Sequence, residues 1–278
     1  MLDHRHNSVT YGQKMTKQQI AIRISCGFAI LMAGASAIAQ KPSPYPPGYF
    51  APDAVPDMTT VIGGPPQAGS PSDVRDRQVY RETRALAGTE RFALATSDAV
   101  IGAQALMDDF ACAMGKRIDI AKAPAVTKLL FTTASEAGLA TSKPKMLFKR
   151  QRPFIGTTDP ICTPGDARIE GSFGYPSGHS AFGWAQGLVL SELMPDRAVA
   201  IMTRARIYGE SRVVCGVHTV SDIEAGRNVA GTIVAALHSV PAFQSDFTAA
   251  ARELATVQGS KPSEAICKME ANAVTRPW

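Results

Sequence analysis

Long hydrophobic runs are missing from most of this 278-residue sequence, and beyond residue 39 no apolar stretch approaches the ~20 residues a membrane span needs. Paired CxxC motifs and Cys/His clusters at metal-ligand spacing are also absent, which argues against zinc. Aromatic residues make up 7% of the chain and no basic run carries interleaved aromatics, so the sequence gives no footprint of a nucleic-acid binder. Alternating polar and apolar runs of the β type are nearly absent. Histidine is scarce as well: beyond residue 39 only His179, His218 and His238 remain.

What is present begins with an export signal. From Met15, a possible start, Lys17 and Arg23 precede an apolar run from Ile24 to Ile38 that closes on small residues. A run of ~15 residues is short for a bilayer span. This is the pattern of a secretory signal peptide over residues 1–39, with cleavage at Ala37-Ile38-Ala39 and a periplasmic or secreted product. Its removal takes away Arg5, Lys14, Lys17 and Arg23 against Asp3, so the net charge falls from +5 to +2 and carries no message about polyanions. Cys26 leaves with it. Cys112, Cys162, Cys215 and Cys267 remain, an even number that suggests two disulfides in an exported chain, with three pairings open.

Residues 40–71 hold nine prolines and read as an extended arm, because proline lacks the amide that helices and central strands require. After it the apolar spacing turns helical. In "SPSDVRDRQVYRETRALAG", Ser72 or Asp73 serves as N-cap and Gly88 as stop, and "GTERFALATSDAVIGAQALMDDFACAMG" continues in helical turns to Gly115. "APAVTKLLFTTASEAGLATSK" opens with Pro124 in a first turn, and Pro144 bends or restarts the helix beyond it. "SAFGWAQGLVLSELM", "DRAVAIMTRARIYGESR" and "TVSDIEAGRNVAGTIVAALHSV" repeat apolar residues at three- and four-residue spacing. The fold class is therefore all-α, one helical domain over residues 72–278, with no internal repeat to divide it.

Three polar clusters interrupt this pattern: "KMLFKRQRP" with Lys145 and Arg152, "YPSGHS" with Ser177, Gly178 and His179, and "GESRVVCGVHTVSD" with Arg212, His218 and Asp222. Each has an ordinary reading taken alone. Lys145 and Arg152 read as solvated charges, Pro-Ser-Gly as a turn feeding a cap, and His218 with Asp222 as a surface pair four residues apart. His238 keeps its ordinary reading, since a cation is favoured near a helix C-terminus.

Order and spacing together change that reading. Lys-x6-Arg-Pro, Pro-Ser-Gly-His and Ser-Arg-x5-His-x3-Asp come one after another with every position filled, and so resemble the signature of the type-2 phosphatidic acid phosphatase superfamily. Within it, "GESRVVCGVHTVSD" and "RALAGTERFALATSDA" resemble the bacterial class A non-specific acid phosphatases, over most of residues 72–250. Phe173-Gly174 lengthens the run before Tyr175-Pro176, and Ser180 stands where Thr is common; both departures fall outside the signature and bear on substrate preference. The resemblance implies a helical bundle of the phosphatase and vanadium haloperoxidase kind, phosphomonoester substrates, inhibition by oxyanions such as vanadate, and a homo-oligomer. It also suggests Glu136 near the site. Cys162–Cys215 and Cys112–Cys267 are the pairings we favour, because Cys215 lies inside the third motif and Cys162 comes after the first.

The residues agree with phosphoryl transfer. Lys145, Arg152 and Arg212 would neutralise the equatorial oxygens, while the Ser177 hydroxyl, the Gly178 amide and a helix N-terminus add donors. Three fixed cations can take the place of a metal ion, so no cofactor is expected. His218 would attack through Nε2 with Asp222 on its Nδ1–H, and His179 would protonate the leaving oxygen and then activate water. One neutral and one protonated histidine suggest an optimum on the acidic side of neutral. The rival readings are a vanadium-dependent haloperoxidase, a membrane lipid phosphatase, disfavoured by the missing spans, and a phosphate-binding protein, which would not need two histidines.

Overall fold

The structure is a computed structural model and describes residues 47–51, 53–276 and 278; the signal-peptide reading lies outside the described residues. Among the described residues thirteen α-helices run in order: α1 Thr59–Ile62, α2 Pro71–Arg84, α3 Glu90–Ser97, α4 Ala103–Asp109, α5 Ala111–Met114, α6 Pro124–Leu139, α7 Ser142–Phe148, α8 Ala167–Glu170, α9 Gly178–Leu193, α10 Ala198–Val214, α11 Val220–Leu237, α12 Pro241–Thr256 and α13 Glu264–Thr275. Among the same residues there is no strand, only an isolated antiparallel bridge between Arg117 and Ser260. The all-α expectation holds.

Helix boundaries obey local chemistry. The N-cap of α2 is Ser70, not Ser72 or Asp73: its hydroxyl accepts the Asp73 amide, and Pro71 takes the first position, where a missing N–H costs nothing. Pro124 opens α6 as anticipated, and Pro144 sits in the first turn of a restarted helix, α7. The "GTERF" segment breaks into α3, α4 and α5, ending at Gly115 with φ 77°.

Helix α9 is the axis of the domain and packs against α6, α10 and α11, with α12 closing over α6. Val126, Leu129, Val189, Leu190, Val229, Ile233 and Phe243 are fully buried between them, each large side chain contributing ~1.5–3 kcal/mol. Close approach of α9 and α10 depends on glycine. A Cβ on Gly183 would lie 2.1 Å from the Tyr208 ring, and one on Gly187 would lie 2.6 Å from Ala205 Cβ. Because Tyr208 also stacks on His179, the α9–α10 spacing sets a catalytic candidate's position.

The described part of the proline-rich arm lies on the domain and is not purely extended, since α1 forms one turn within it. Met58 enters the main core, and the Tyr49 hydroxyl donates to Asp246 (3.0 Å) while its ring meets Phe243 edge-on. Glu136 is buried and accepts the Tyr49 amide (2.7 Å), so it fastens the arm to α6 and is not among the residues lining the site suggested for it.

Of the two proposed disulfides, Cys112–Cys267 is present and ties α5 to α13. Cys162–Cys215 is not: both are free thiols. The Cys162 amide donates to the Cys215 carbonyl (3.1 Å), and Arg212 lies 3.7 Å from the Cys215 sulfur. Burial alone would raise the Cys215 thiol, but hydrogen bonding from Cys162 and the Arg212 charge pull it down to about 7, whereas Cys162 is raised by donating to Cys215.

Candidate active site

All three sequence clusters converge on one cleft of about 260 Å³ at the N-terminal end of α9. Lys145 comes from α7, Arg152 from the loop after it, Gly178 and His179 from the start of α9, Arg212 from the end of α10, and His218 from the turn before α11. The sequence placed His218 and Asp222 a helical turn apart. In the structure Thr219 caps α11, reciprocating with Asp222 in a capping box, and His218 stands just outside the helix.

Ser177 and Asp222 do not line the cleft. Ser177 is fully buried as the N-cap of α9, its hydroxyl accepting the Ser180 amide (3.2 Å) and its own amide donating to the Asp222 carbonyl (2.9 Å). It presents the helix terminus to the cleft instead of its hydroxyl. A Cβ on Gly178 would approach Thr141 Oγ1 to 3.0 Å, so any larger residue there narrows the cradle. Asp222, also fully buried, stands behind His218 and accepts from its Nδ1 (3.3 Å) and from the Thr219 amide (2.9 Å).

The cations of the cleft are held by neutral groups. Lys145 Nζ donates to the Phe173 carbonyl (2.8 Å). Arg152 donates to the carbonyls of Ser172 (3.1 Å) and Val217 (2.9 Å), the Ser172 hydroxyl (2.9 Å) and His218 Nε2 (2.9 Å). Arg212 is 2% exposed and its Nε has no hydrogen-bond partner among the described residues. The buried Ser135 Oγ at the cleft is likewise unpartnered. No carboxylate lies within ion-pair distance of these three cations among the described residues. Burial first, then Arg152, lowers Lys145 to about 7; burial and Arg212 lower Arg152 to about 10. The site is an anion receptor.

Hydrogen bonding fixes both histidine tautomers. A guanidinium can only donate, so His218 Nε2 is the unprotonated nitrogen, its lone pair accepting from Arg152 at the cleft, and Nδ1 carries the proton toward Asp222. His179 is the mirror case. Its Nε2 lies 2.5 Å from the Asp98 carbonyl, which can only accept, so Nε2 carries hydrogen and Nδ1 is left to exchange a proton. Its ring stacks on Tyr208 at 4.6 Å. Burial, reinforced by Arg152, Lys145 and Arg212 for His218 and by Arg212 for His179, holds both imidazoles well below the usual range.

Sequence reasoning missed the residues that hold these groups. Asp98 is locked by Arg204 (2.5 Å) and the Ser211 hydroxyl (2.5 Å), and Arg204 also binds Glu270 (2.9 Å) and Asp109 (3.6 Å). Arg150 pairs with Asp222 (2.8 Å) and Asp76 (2.8 Å). Thr219-x-x-Asp222 was legible as a capping box, and Arg150 lies two residues from Arg152; Asp98 and Arg204 left no local signal. Ile101, Leu139, Ile169 and Phe182 form an apolar collar on the cleft.

Comparison with known proteins agrees with this geometry. The model of the PAP2 superfamily matches residues 125–246, which contain every signature residue. The chain is 39% identical over 220 residues to an acid phosphatase of Zymomonas mobilis, covering 78% of this chain and 83% of that one. It is 38% identical over 204 residues to a non-specific acid phosphatase of Providencia stuartii (73% and 82% covered) and 32% identical over 210 residues to one of Salmonella typhimurium (74% and 83%). With the three motifs meeting in one cleft and these relatives aligned along most of their length, the chain belongs to the acid phosphatase family of the PAP2 superfamily.

Proposed function

We propose that the protein is an exported acid phosphatase that hydrolyses phosphomonoesters of varied leaving group through a phosphohistidine on His218, without a metal ion. The observation that carries this reading is the convergence of Lys145, Arg152 and Arg212, none paired with a carboxylate, around the unprotonated Nε2 of His218, which accepts from Arg152. Buried charge of one sign is costly, so such a cluster calls for an anion to complete it.

A phosphate ester entering the cleft draws Arg152 from His218 Nε2 onto its oxygens and frees the nucleophile. Nε2 attacks phosphorus in line with the ester oxygen, and Asp222 stabilises the charge that forms on the imidazole through Nδ1–H. Protonated His179 gives its Nδ1 proton to the departing oxygen. Neutral again, it takes a proton from water, whose oxygen attacks the phosphohistidine and releases orthophosphate. Bound phosphate raises both imidazoles from their depressed values, which supplies the protonated His179 on the acidic side of neutral. Vanadate, filling the same receptor, is an inhibitor in this reading, and a homo-oligomer is part of it.

The test assays mature protein with an aryl phosphate in excess chelator, and separately with vanadate, halide and peroxide. Hydrolysis that survives the chelator, and no halide oxidation, is the expected result. His218→Ala abolishes turnover of every substrate. His179→Ala loses about 10²–10⁴-fold on alkyl phosphates but far less on aryl phosphates, and accumulates phosphate on His218 in an acid-free quench. Phosphate on His238 instead, or a rate whose dependence on leaving-group pKa is unchanged, overturns the assignment. Light scattering reads the subunit number, and N-terminal sequencing of periplasmic protein reads the cleavage site.

A further inference from the structure

Behind the nucleophile Asp222 is gripped by an arginine at one of the unassigned positions within the first motif. Arg150 Nη1 donates to Asp222 Oδ1 (2.8 Å) and to Thr219 Oγ1 (2.9 Å), and Nη2 donates to Asp76 Oδ2 (2.8 Å). The other oxygen of Asp76 accepts the Ser221 amide (2.9 Å), so Asp76 binds the arginine and the first turn of α11 together. Asp76 and Asp222 have side chains 1% exposed, and that of Arg150 is 16% exposed.

We propose that Arg150, set by Asp76, is a positioning residue for His218: it orients the Asp222 carboxylate and offsets its charge, so that His218 keeps Nδ1–H and a bare Nε2. This rests on the phosphohistidine reading of the same site.

The geometry has two effects. With Oδ1 taken by Arg150 and Oδ2 by the Thr219 amide and His218, the carboxylate cannot rotate away from the ring. The second effect is electrostatic. His218 faces Lys145 and Arg152 from the α7 region, Arg212 from α10 and His179 from α9, all opposing a further positive charge, and Asp222 from α11, which favours one. An unpaired Asp222 would hold a proton on Nε2 and remove the nucleophile at mildly acidic pH. Arg150 shares that charge with Asp76 and Asp222, and the balance keeps the ring neutral.

The signs of the two substitutions therefore oppose each other. Arg150→Met leaves Asp222 acting on His218 alone, and the acid limb of kcat/KM moves to higher pH. Asp76→Asn removes a competing carboxylate, so Arg150 draws harder on Asp222 and the limb moves to lower pH. A structural ion pair between α2 and α11 gives no such opposition. The experiment measures kcat/KM against pH for an aryl phosphate, the dissociation constant of orthophosphate, and the His218 tautomer and titration by nitrogen NMR. Arg150→Met should lower kcat about 10–100-fold, the range for residues that orient a catalytic ligand through a second bond, with phosphate affinity within a fewfold of wild type. Arg150→Lys should recover much of it.

Limbs that shift in the same direction, or a loss of kcat with the limb and the His218 tautomer unchanged, overturn the proposal. Should Arg150→Met fail to fold, Asp76→Asn still reads the limb and the His218 tautomer, and a limb that stays in place or moves to higher pH overturns the proposal. Should the wild-type protein not hydrolyse phosphate esters, the NMR titration still reads opposed shifts at His218, which separates failure of this device from failure of the phosphatase reading.

Discussion

Buried arginines occur in two settings in this molecule. Arg204 is enclosed by Asp98, Asp109 and Glu270, and Arg150 by Asp76 and Asp222. Arg152 and Arg212 are at least as enclosed as Arg150, yet only carbonyls, a hydroxyl, a thiol and an imidazole hold them. Only Gln151 separates Arg150 from Arg152. An arginine whose charge is matched inside the protein serves structure or orientation, whereas one left unmatched keeps its charge for a ligand. Carboxylate pairing separates the two classes where burial does not.

The largest expected effect comes from exchanging members of the two classes for methionine. Arg204→Met strands three acidic groups in the core and should cost about 3–5 kcal/mol of stability, read as a fall in denaturation midpoint. Arg212→Met removes an unmatched charge. Its midpoint should hold or rise, while turnover falls about 10²–10³-fold, as for loss of a donor to the transition state. If both variants lose stability equally, the distinction between matched and unmatched arginines fails.

A smaller effect sharpens the comparison through pH. Lys145 is an unmatched cation lowered to about 7, chiefly by burial. Its charged form is present below that pH and is lost as pH rises through it, so inhibition by orthophosphate should weaken above about pH 7. Bound phosphate favours the charged form and moves the break upward in the complex. In Lys145→Arg this break should vanish from the affinity profile. Smaller still is the effect of the collar: Leu139→Ser should reduce aryl over glycerol phosphate preference by less than about tenfold, the scale of one apolar contact, without altering vanadate inhibition.

Much of the fold was legible because its determinants are local. Pro124 and Pro144 at helix starts, Gly115 at a stop and the apolar spacing of α6, α9, α10 and α11 each act within a few residues. Boundaries slipped where two caps competed, as at Ser70 against Ser72. The role of Glu136 was not legible, because the partner that claims its carboxylate, Tyr49, lies 87 residues away in the arm.

For the site, the order and spacing of the three motifs by themselves pointed to the phosphatase family, since phosphoryl transfer calls for clustered positive charge and donors around the phosphate. What only the tertiary structure decided is how each group is held: which nitrogen of each histidine is bare, which arginines are matched, and that Cys162 and Cys215 remain thiols. Those outcomes depend on contacts such as Arg204 with Asp98 and Arg150 with Asp76, 106 and 74 residues apart. A charge is assigned a structural or a chemical role by what surrounds it after folding, and no spacing within one helix or turn carries that information.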